Sequence, residues 1–179
     1  MLWVFGYGSL IWKPPPHVVE QRSGYVKGVL RRFAQSSIDH RGTPERPGRV
    51  VTVLEAADWH KLTGVPPQAH SIQEDTVWGI AYRIAEEKEK EVWDYLEHRE
   101  KNGYTAHDVE VFSLNLETQQ EETVVPKATC WIGTTSNPAF VGYEPMDQLA
   151  ERIATCEGPS GPNPVSLPRV HCHDHDPGH

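Results

Sequence analysis

Short apolar segments with the character of β-strands recur along the chain, separated by glycine, proline and polar residues. They are rich in β-branched and aromatic residues, and the segment 76–84 alternates between two faces, as half-buried strands do. We predict strands at residues 2–7, 23–37, 48–56, 76–84, 104–114 and 122–133. Residues 8–12, GSLIW, are predicted to form the turn that leaves the first strand.

Two segments instead have the spacing of apolar residues that is typical of helices. In residues 86–100, two glutamates suit the first turn and Gly103 suits the end. Residues 144–158 form the second predicted helix. The predicted buried faces are Val92, Tyr95, Leu96 and Arg99 in the first helix, and Met146, Leu149, Ala150 and Ile153 in the second.

In the remaining segments, apolar residues do not recur with a sustained period. Residues 58–75 are predicted to be a surface insertion, and residues 164–179, rich in proline and histidine, to be an irregular, poorly ordered tail. Six strands and two helices predict one α+β domain over residues 1–163. We expect a small mixed β-barrel or a strongly curled sheet, with the helices packed on its outside.

Charge and composition narrow the class of protein. A net charge of −8 over 179 residues argues against nucleic acid or an anionic membrane as a general partner. Neither a membrane-spanning stretch nor a leader peptide is recognisable, so we expect a cytosolic protein. The three cysteines are widely spaced, which favours reduced thiols and gives no support to a metal site. The HCHDH cluster at residues 171–175 has the chemistry of an adventitious zinc or nickel site.

The stretch VFGYGSLIW, residues 4–12, has glycines at positions 6 and 8. Glycine accepts backbone dihedrals that other residues avoid, so this turn can expose consecutive N–H groups. A concave run of amides binds a carboxylate or a developing oxyanion. On its own, the same pattern also fits a tight turn in a barrel.

Five segments in order resemble the ChaC family, the glutathione-specific γ-glutamylcyclotransferases. After VFGYGSLIW come SIDHRGTPERPGRVVTV, VWGIAYRI, YLEHREKNGY and GPSGPN, and together they cover about residues 2–163. The resemblance implies a γ-glutamylcyclotransferase-like fold. It also implies the reaction of that family, in which the γ-glutamyl amine of glutathione attacks its own γ-carbonyl. The products are 5-oxoproline and Cys-Gly, and no cofactor or metal is needed.

Such a reaction needs one group that moves a proton, and the helix at 86–100 offers several acids. At about 100° per residue, Glu100 lies on the flank of the predicted buried face, about 40° from Leu96. Glu97 and Asp94 point towards water, and Glu91 lies on the opposite side. Partial burial and the helix C-terminus both raise the pKa expected for Glu100. The resemblance makes the same choice, since Glu100 stands at the family's catalytic glutamate.

By resemblance, the first motif binds the γ-glutamyl group. The predicted substrate contacts are Val4, Phe5, Gly6, Tyr7, Gly8, Ser9 and Leu10. The Tyr7 hydroxyl either lines the substrate pocket or packs against the rest of the protein. A substrate with two carboxylates calls for a cation, and Arg41 and Arg49 are candidates. A competing interpretation pairs Asp39 with Arg41 within the loop.

The resemblance ends after Asn163, where the family continues into a helix. Pro164 and Pro168 are incompatible with that helix, and its loss is expected to expose an apolar patch. Two alternatives to an active enzyme on glutathione therefore remain. One is a catalytically impaired relative that binds γ-glutamyl compounds or a protein partner. The other is an enzyme that performs the same reaction on different γ-glutamyl substrates. The sequence does not predict an oligomeric state.

Overall fold

The computed structural model describes residues 1–64, 75–100 and 103–166. Nine strands and four helices occur in this part of the chain. The strands are β1 (Trp3–Gly6), β2 (Val18–Lys27), β3 (Val29–Ser37), β4 (Gly48–Glu55), β5 (Thr76–Ile84), β6 (Tyr104–Leu114), β7 (Glu121–Gly133), β8 (Glu157–Gly158) and β9 (Gly161–Pro162). The helices are α1 (Ser9–Trp12), α2 (Ala56–Thr63), α3 (Glu89–Arg99) and α4 (Met146–Thr155), with 3₁₀ turns at Glu86–Lys88 and Asn163–Ser166.

Five strands close into a barrel in the order β1-β5-β2-β6-β7. All neighbours are antiparallel except β1 and β7, which run parallel where the barrel closes. β3 and β4 form a separate two-stranded sheet, and β8 and β9 form a small hairpin. The predicted α+β class and the barrel are therefore confirmed.

Strand β1 is buried on both faces, which explains why its sequence is apolar without alternation. Trp3 and Phe5 belong to the cluster of buried side chains that includes Val26, Val111 and Ile132. Val4 belongs to a second cluster, with residues of α3, and this cluster attaches the helix to the barrel. Its buried members are Val4, Leu10, Ile84, Val92, Leu96 and Trp131. The chain therefore leaves β1 directly beneath α3.

Three predictions about local structure are wrong. The predicted strand 23–37 is two strands, because Gly28 takes a φ of 73° and turns the chain between β2 and β3. The predicted turn at residues 8–12 contains the short helix α1. Helix α2 occupies the start of the predicted insertion, and it ends at Gly64, whose φ of 69° is typical of a helix C-terminus. Residues 65–74 of that insertion lie outside the described residues.

The helix faces also differ in part from the prediction. Tyr95 is exposed, and the buried side of α3 is rotated towards Trp93, whose ring lies 5.5 Å from that of Trp131. On α4, Ile153 is buried but Met146 is exposed. The predicted tail begins in the 3₁₀ turn Asn163–Ser166, and its part from residue 167 onward, including the HCHDH cluster, lies outside the described residues. A domain boundary after residue 163 stays a prediction.

Candidate active site

Glu100 lies at the C-terminal end of α3, where its backbone N–H still donates to the Leu96 carbonyl at 2.8 Å. Its side chain is 19% exposed, against 56% for Glu91 and 58% for Asp94. The difference arises because Val92 and Leu96 seat one face of the helix on the barrel, and Glu100 follows Leu96 by one turn. Of these acids, Glu100 alone is directed towards the protein.

Strand β6 is preceded by a glycine. Gly103 has a φ of 84°, and a Cβ atom there would collide with the side chain of Asn137. Both conditions exclude other residues at position 103, so this glycine is required where the chain enters β6. The first residue of β6 is Tyr104.

Burial raises the pKa of the Glu100 carboxyl above its ordinary value, and the neighbouring Arg99 guanidinium opposes that shift. The direction expected from the sequence is confirmed. A carboxylate shifted in this way accepts and releases protons more readily near neutral pH than a solvated glutamate does.

Two tyrosines and a cysteine lie within electrostatic range of Glu100. The Tyr7 hydroxyl donates to the carbonyl of Trp131 at 2.9 Å, and the Tyr104 hydroxyl donates to the carbonyl of Val51 at 3.3 Å. Burial raises the pKa of both phenols and of the Cys130 thiol, and the negative charge of Glu100 raises each further. These groups therefore stay neutral while Glu100 titrates.

The turn between β1 and α1 forms the second half of the site, although its glycines serve a different purpose from the one predicted. Neither Gly6 nor Gly8 has a positive φ. Gly6 is needed for close packing, since a Cβ atom there would lie 2.7 Å from the Cβ of Leu10. At Gly8 a Cβ atom would meet nothing within 4 Å, so the backbone is open to an approaching molecule. We call residues 6–10 the glycine turn.

The predicted substrate contacts divide into two groups. The side chains of Val4, Phe5 and Leu10 are buried in the two hydrophobic clusters and can meet a ligand only through their backbone. Tyr7, Gly8 and Ser9 are partly or fully exposed. Because the first N–H groups of a helix have no partner within it, the start of α1 leaves amides at Ser9 and Leu10 for a ligand.

Arg99 joins the glycine turn to the acid. One of its Nη atoms donates to Ser9 Oγ at 2.6 Å, and its Nε lies 3.5 Å from Glu100 Oε1. Glu100 and Ser9 are thus held at fixed positions by one guanidinium. The sequence pattern placed Arg99 on the buried face of the helix but did not identify its two partners.

Arg41 and Arg49 are not placed at Glu100. The Arg41 guanidinium donates to the carbonyls of Ser160 and Pro162, at 2.6 and 3.3 Å. Arg49 is buried, and its guanidinium forms a bidentate pair with Glu144, with one contact at 3.0 Å. Asp39 forms no ion pair with Arg41 among the described residues. Both arginines therefore fasten the loop 41–49 to the C-terminal part of the domain.

A different arginine reaches the glycine turn. Arg31, an exposed residue of β3, donates from Nη1 to the carbonyl of Tyr7 at 3.1 Å. This contact was not predicted, since an arginine in a strand has no distinguishing spacing. The signal that was available is the pair Arg31 and Arg32, two successive charges in a strand that has no other charged residue.

The described residues contain no group of three or more histidine, cysteine, aspartate or glutamate side chains that could hold a metal. No helix among them is long and apolar enough to cross a membrane. What the site offers is one half-buried carboxylate with a raised pKa, neutral phenols around it and an open turn of backbone amides. This combination, on a closed barrel, is that of an acid–base enzyme.

Comparison with known proteins gives the family. The family described as ChaC-like protein matches residues 2–173, and the chain belongs to it. The glutathione-specific γ-glutamylcyclotransferase of Schizosaccharomyces pombe is 40% identical, over 93% of this chain and 79% of its own length. Glutathione-specific γ-glutamylcyclotransferase 1 of Homo sapiens is 35% identical, over 94% of this chain and 68% of its own.

Solved structures support the same family assignment. A crystal structure of the glutathione-specific γ-glutamyl cyclotransferase from yeast superposes with a TM-score of 0.78 at 38% sequence identity. The match covers 92% of this chain and 82% of the yeast chain. The resemblance inferred from the sequence motifs is confirmed, and the barrel is the fold of a known cyclotransferase.

Proposed function

We propose that this chain is a glutathione-specific γ-glutamylcyclotransferase that converts glutathione into 5-oxoproline and Cys-Gly. The observation that carries the proposal is Glu100, a half-buried carboxylate with a raised pKa that Arg99 ties to the glycine turn. Its relatives of 35–40% identity, named for this activity, support the choice of substrate. The cytosolic location stays a prediction.

The proposed reaction is an intramolecular aminolysis. The α-amine of the γ-glutamyl group attacks the γ-carbonyl carbon, a new C–N bond closes the five-membered ring, and the bond to the cysteine nitrogen breaks. Because nucleophile and carbonyl belong to one molecule, the protein needs mainly to fold the γ-glutamyl arm into the reactive conformation.

Glu100 is the proposed proton carrier for both halves of the reaction. As a carboxylate it takes a proton from the attacking amine, and as a carboxylic acid it gives that proton to the leaving cysteine nitrogen. The proton balance closes without water or a second reactant. The base must start ionised, so the raised pKa of Glu100 places the acidic limb of the pH–rate profile above the range of an ordinary glutamate.

The backbone of residues 4–10 is the proposed binding site for the γ-glutamyl group. Amides of the glycine turn would stabilise the oxygen of the γ-carbonyl as it becomes negative, or hold the γ-glutamyl carboxylate. For Arg41 and Arg49 we propose a structural role, because carbonyl groups and Glu144 occupy their guanidinium groups.

The test is an assay of purified protein with glutathione in the presence of EDTA, with 5-oxoproline and Cys-Gly measured by mass spectrometry. We expect turnover in the wild type and a loss of roughly 10²–10⁴-fold in kcat/KM for Glu100→Gln. Glu97→Gln, one turn earlier and exposed, is the matched control and should retain wild-type turnover.

The outcomes separate the alternatives. A folded wild type with no turnover would favour the impaired relative, and near-normal turnover by Glu100→Gln would remove Glu100 from the mechanism. Turnover of γ-glutamyl-alanine that exceeds turnover of glutathione would move the activity to other γ-glutamyl substrates.

A further inference from the structure

Two arginines contact the glycine turn on a protein that is otherwise acidic. The chain has a net charge of −8, yet Arg31 contacts the Tyr7 carbonyl and Arg99 contacts Ser9. Nearby in the chain, loss of solvent lowers the pKa of His40, and the positive charge of Arg41 lowers it further against the opposing charge of Asp39. Such a local field attracts an anionic ligand.

The cations differ in how much of their hydrogen-bonding capacity the protein uses. Arg99 is engaged by Ser9 and Glu100, and Arg41 by two carbonyl groups. Arg31 has its bond to the Tyr7 carbonyl, and no carboxylate forms an ion pair with it among the described residues. A guanidinium with N–H groups left over, fixed at one point and exposed to solvent, is suited to bind a carboxylate.

Tyr7 relates Arg31 to the reacting centre. Its carbonyl holds Arg31, while its phenol is close enough to Glu100 for that charge to raise the phenol's pKa. Arg31 contacts residue 7 of the glycine turn, and Arg99, whose Nε lies 3.5 Å from Glu100 Oε1, contacts residue 9 of the same turn. Arg31 and Glu100 therefore border the same turn, and the Cys-Gly part of glutathione extends at most about 7 Å beyond the scissile bond.

We propose that Arg31 binds the glycine carboxylate of glutathione and thereby selects γ-glutamyl peptides that carry a carboxylate at this distance from the scissile bond. This inference rests on the proposed function and adds the residue that recognises the leaving half of the substrate. Arg99, adjacent to Glu100, instead positions the catalytic end.

The test compares glutathione with its glycine ethyl ester, which lacks that carboxylate charge. The wild type should prefer glutathione by roughly ten- to hundredfold in kcat/KM, the usual effect of a hydrogen bond to a charged group. In Arg31→Gln the preference should fall to about onefold, because glutathione loses activity while the ester does not. Arg31→Lys should restore part of the preference.

The neighbouring arginine supplies the matched control. Arg32 lies next in β3 but points away, with its guanidinium 5.5 Å from the ring of Trp59. Arg32→Gln should keep the wild-type preference, and Arg99→Gln should lower turnover of both substrates by a similar factor. An Arg31→Gln variant that still distinguishes the two substrates as the wild type does would overturn the proposal, as would a wild type without any preference.

Binding measurements separate this inference from the proposed function. Glu100→Gln should bind both peptides without turning them over, so calorimetry on this variant, with and without Arg31→Gln, measures recognition alone. If the wild type has no cyclotransferase activity but binding still depends on Arg31 and the free carboxylate, the proposed function fails and the assignment of Arg31 stands. Equal affinity for both peptides, or no binding of either, overturns the assignment.

Discussion

The C-terminal end of α3 and the side of α4 are opposite in character. At the end of α3, Glu100 and Arg99 meet the glycine turn, and polar groups converge. Beside α4 lies a groove of about 270 Å³ in which every lining side chain is apolar. We call it the α4 groove; its lining residues are Phe33, Met146, Leu149, Ala150, Ile153, Ala154 and Pro164.

The comparison teaches that an open groove does not by itself indicate where proton transfer can occur. Proton transfer needs a titratable group whose pKa is shifted and whose position is fixed, and the α3 end supplies both in Glu100. The α4 groove contains no ionisable side chain. Near α4, the charged groups Arg49 and Glu144 neutralise one another and serve the fold.

The largest expected effect in the α4 region is on stability and not on activity. Glu144→Gln leaves the guanidinium of Arg49 buried with a weakened partner, so the free energy of unfolding should fall by about 3 kcal/mol. Because neither member of the pair forms a hydrogen bond or ion pair with Glu100, Arg99 or the glycine turn, kcat/KM should stay within about twofold of the wild type at temperatures where the variant is folded. Urea unfolding and the 5-oxoproline assay measure the two quantities.

Acid sensitivity gives a second readout of the same variant. Burial acts to raise the pKa of Glu144, but its hydrogen bonds and charge interactions with Arg49 and Arg152 outweigh burial and lower it. A lowered pKa in the folded state stabilises the protein above the unfolded value of about 4.3, and this contribution is lost as pH falls below it. Glu144→Gln should lose less stability on acidification than the wild type. Glu151→Gln, an exposed position of α4, is the control; an equal loss in both variants would contradict the assignment.

A change at the α3 end should act on the pH dependence of catalysis. In Arg99→Gln the cation that lowers the pKa of Glu100 is gone, so the acidic limb of the kcat/KM profile should move to higher pH. Loss of the bond to Ser9 should reduce kcat/KM by roughly tenfold at the optimum. Steady-state kinetics between pH 5 and 9 measure both effects on the same samples.

Ser9→Ala separates the two effects of Arg99. This variant removes the hydrogen bond but keeps the guanidinium beside Glu100, so kcat/KM should fall while the acidic limb stays in place. A limb that moves to lower pH in Arg99→Gln would mean that Arg99 does not stabilise the Glu100 carboxylate.

The smallest effect is expected from the α4 groove itself. Met146 is 75% exposed at its edge, so Met146→Lys should change the free energy of unfolding by no more than about 0.5 kcal/mol. Turnover of glutathione should remain that of the wild type. A loss of activity in this variant, measured in the same assay, would show that the α4 groove contributes to catalysis and would break the contrast between the two regions.

Strand positions were predictable where hydrophobic pattern and glycine signals agreed. Four segments were placed with at most one residue of error: β5 at Thr76–Ile84, β6 at Tyr104–Leu114, β4, which starts at Gly48 as predicted, and β7, which ends at Gly133 as predicted. The division at Gly28 was missed because a single glycine inside a long apolar run is compatible with both a bulge and a turn. The register of the closed barrel could not be predicted from the sequence, because it depends on which strands pair with one another.

Glu100 was recognisable because a helix repeats every 3.6 residues, so its position relative to Leu96 follows from counting along the chain. Such local regularities, together with the family motifs, determined the class of fold and led to the proposal of Glu100 and the glycine turn as the site. Only the tertiary structure decided the partners of the arginines. Arg49 meets Glu144, 95 residues away, and Arg99 meets Ser9, 90 residues away. Long charged side chains choose partners through space after the barrel has closed, and no spacing along the chain records that choice.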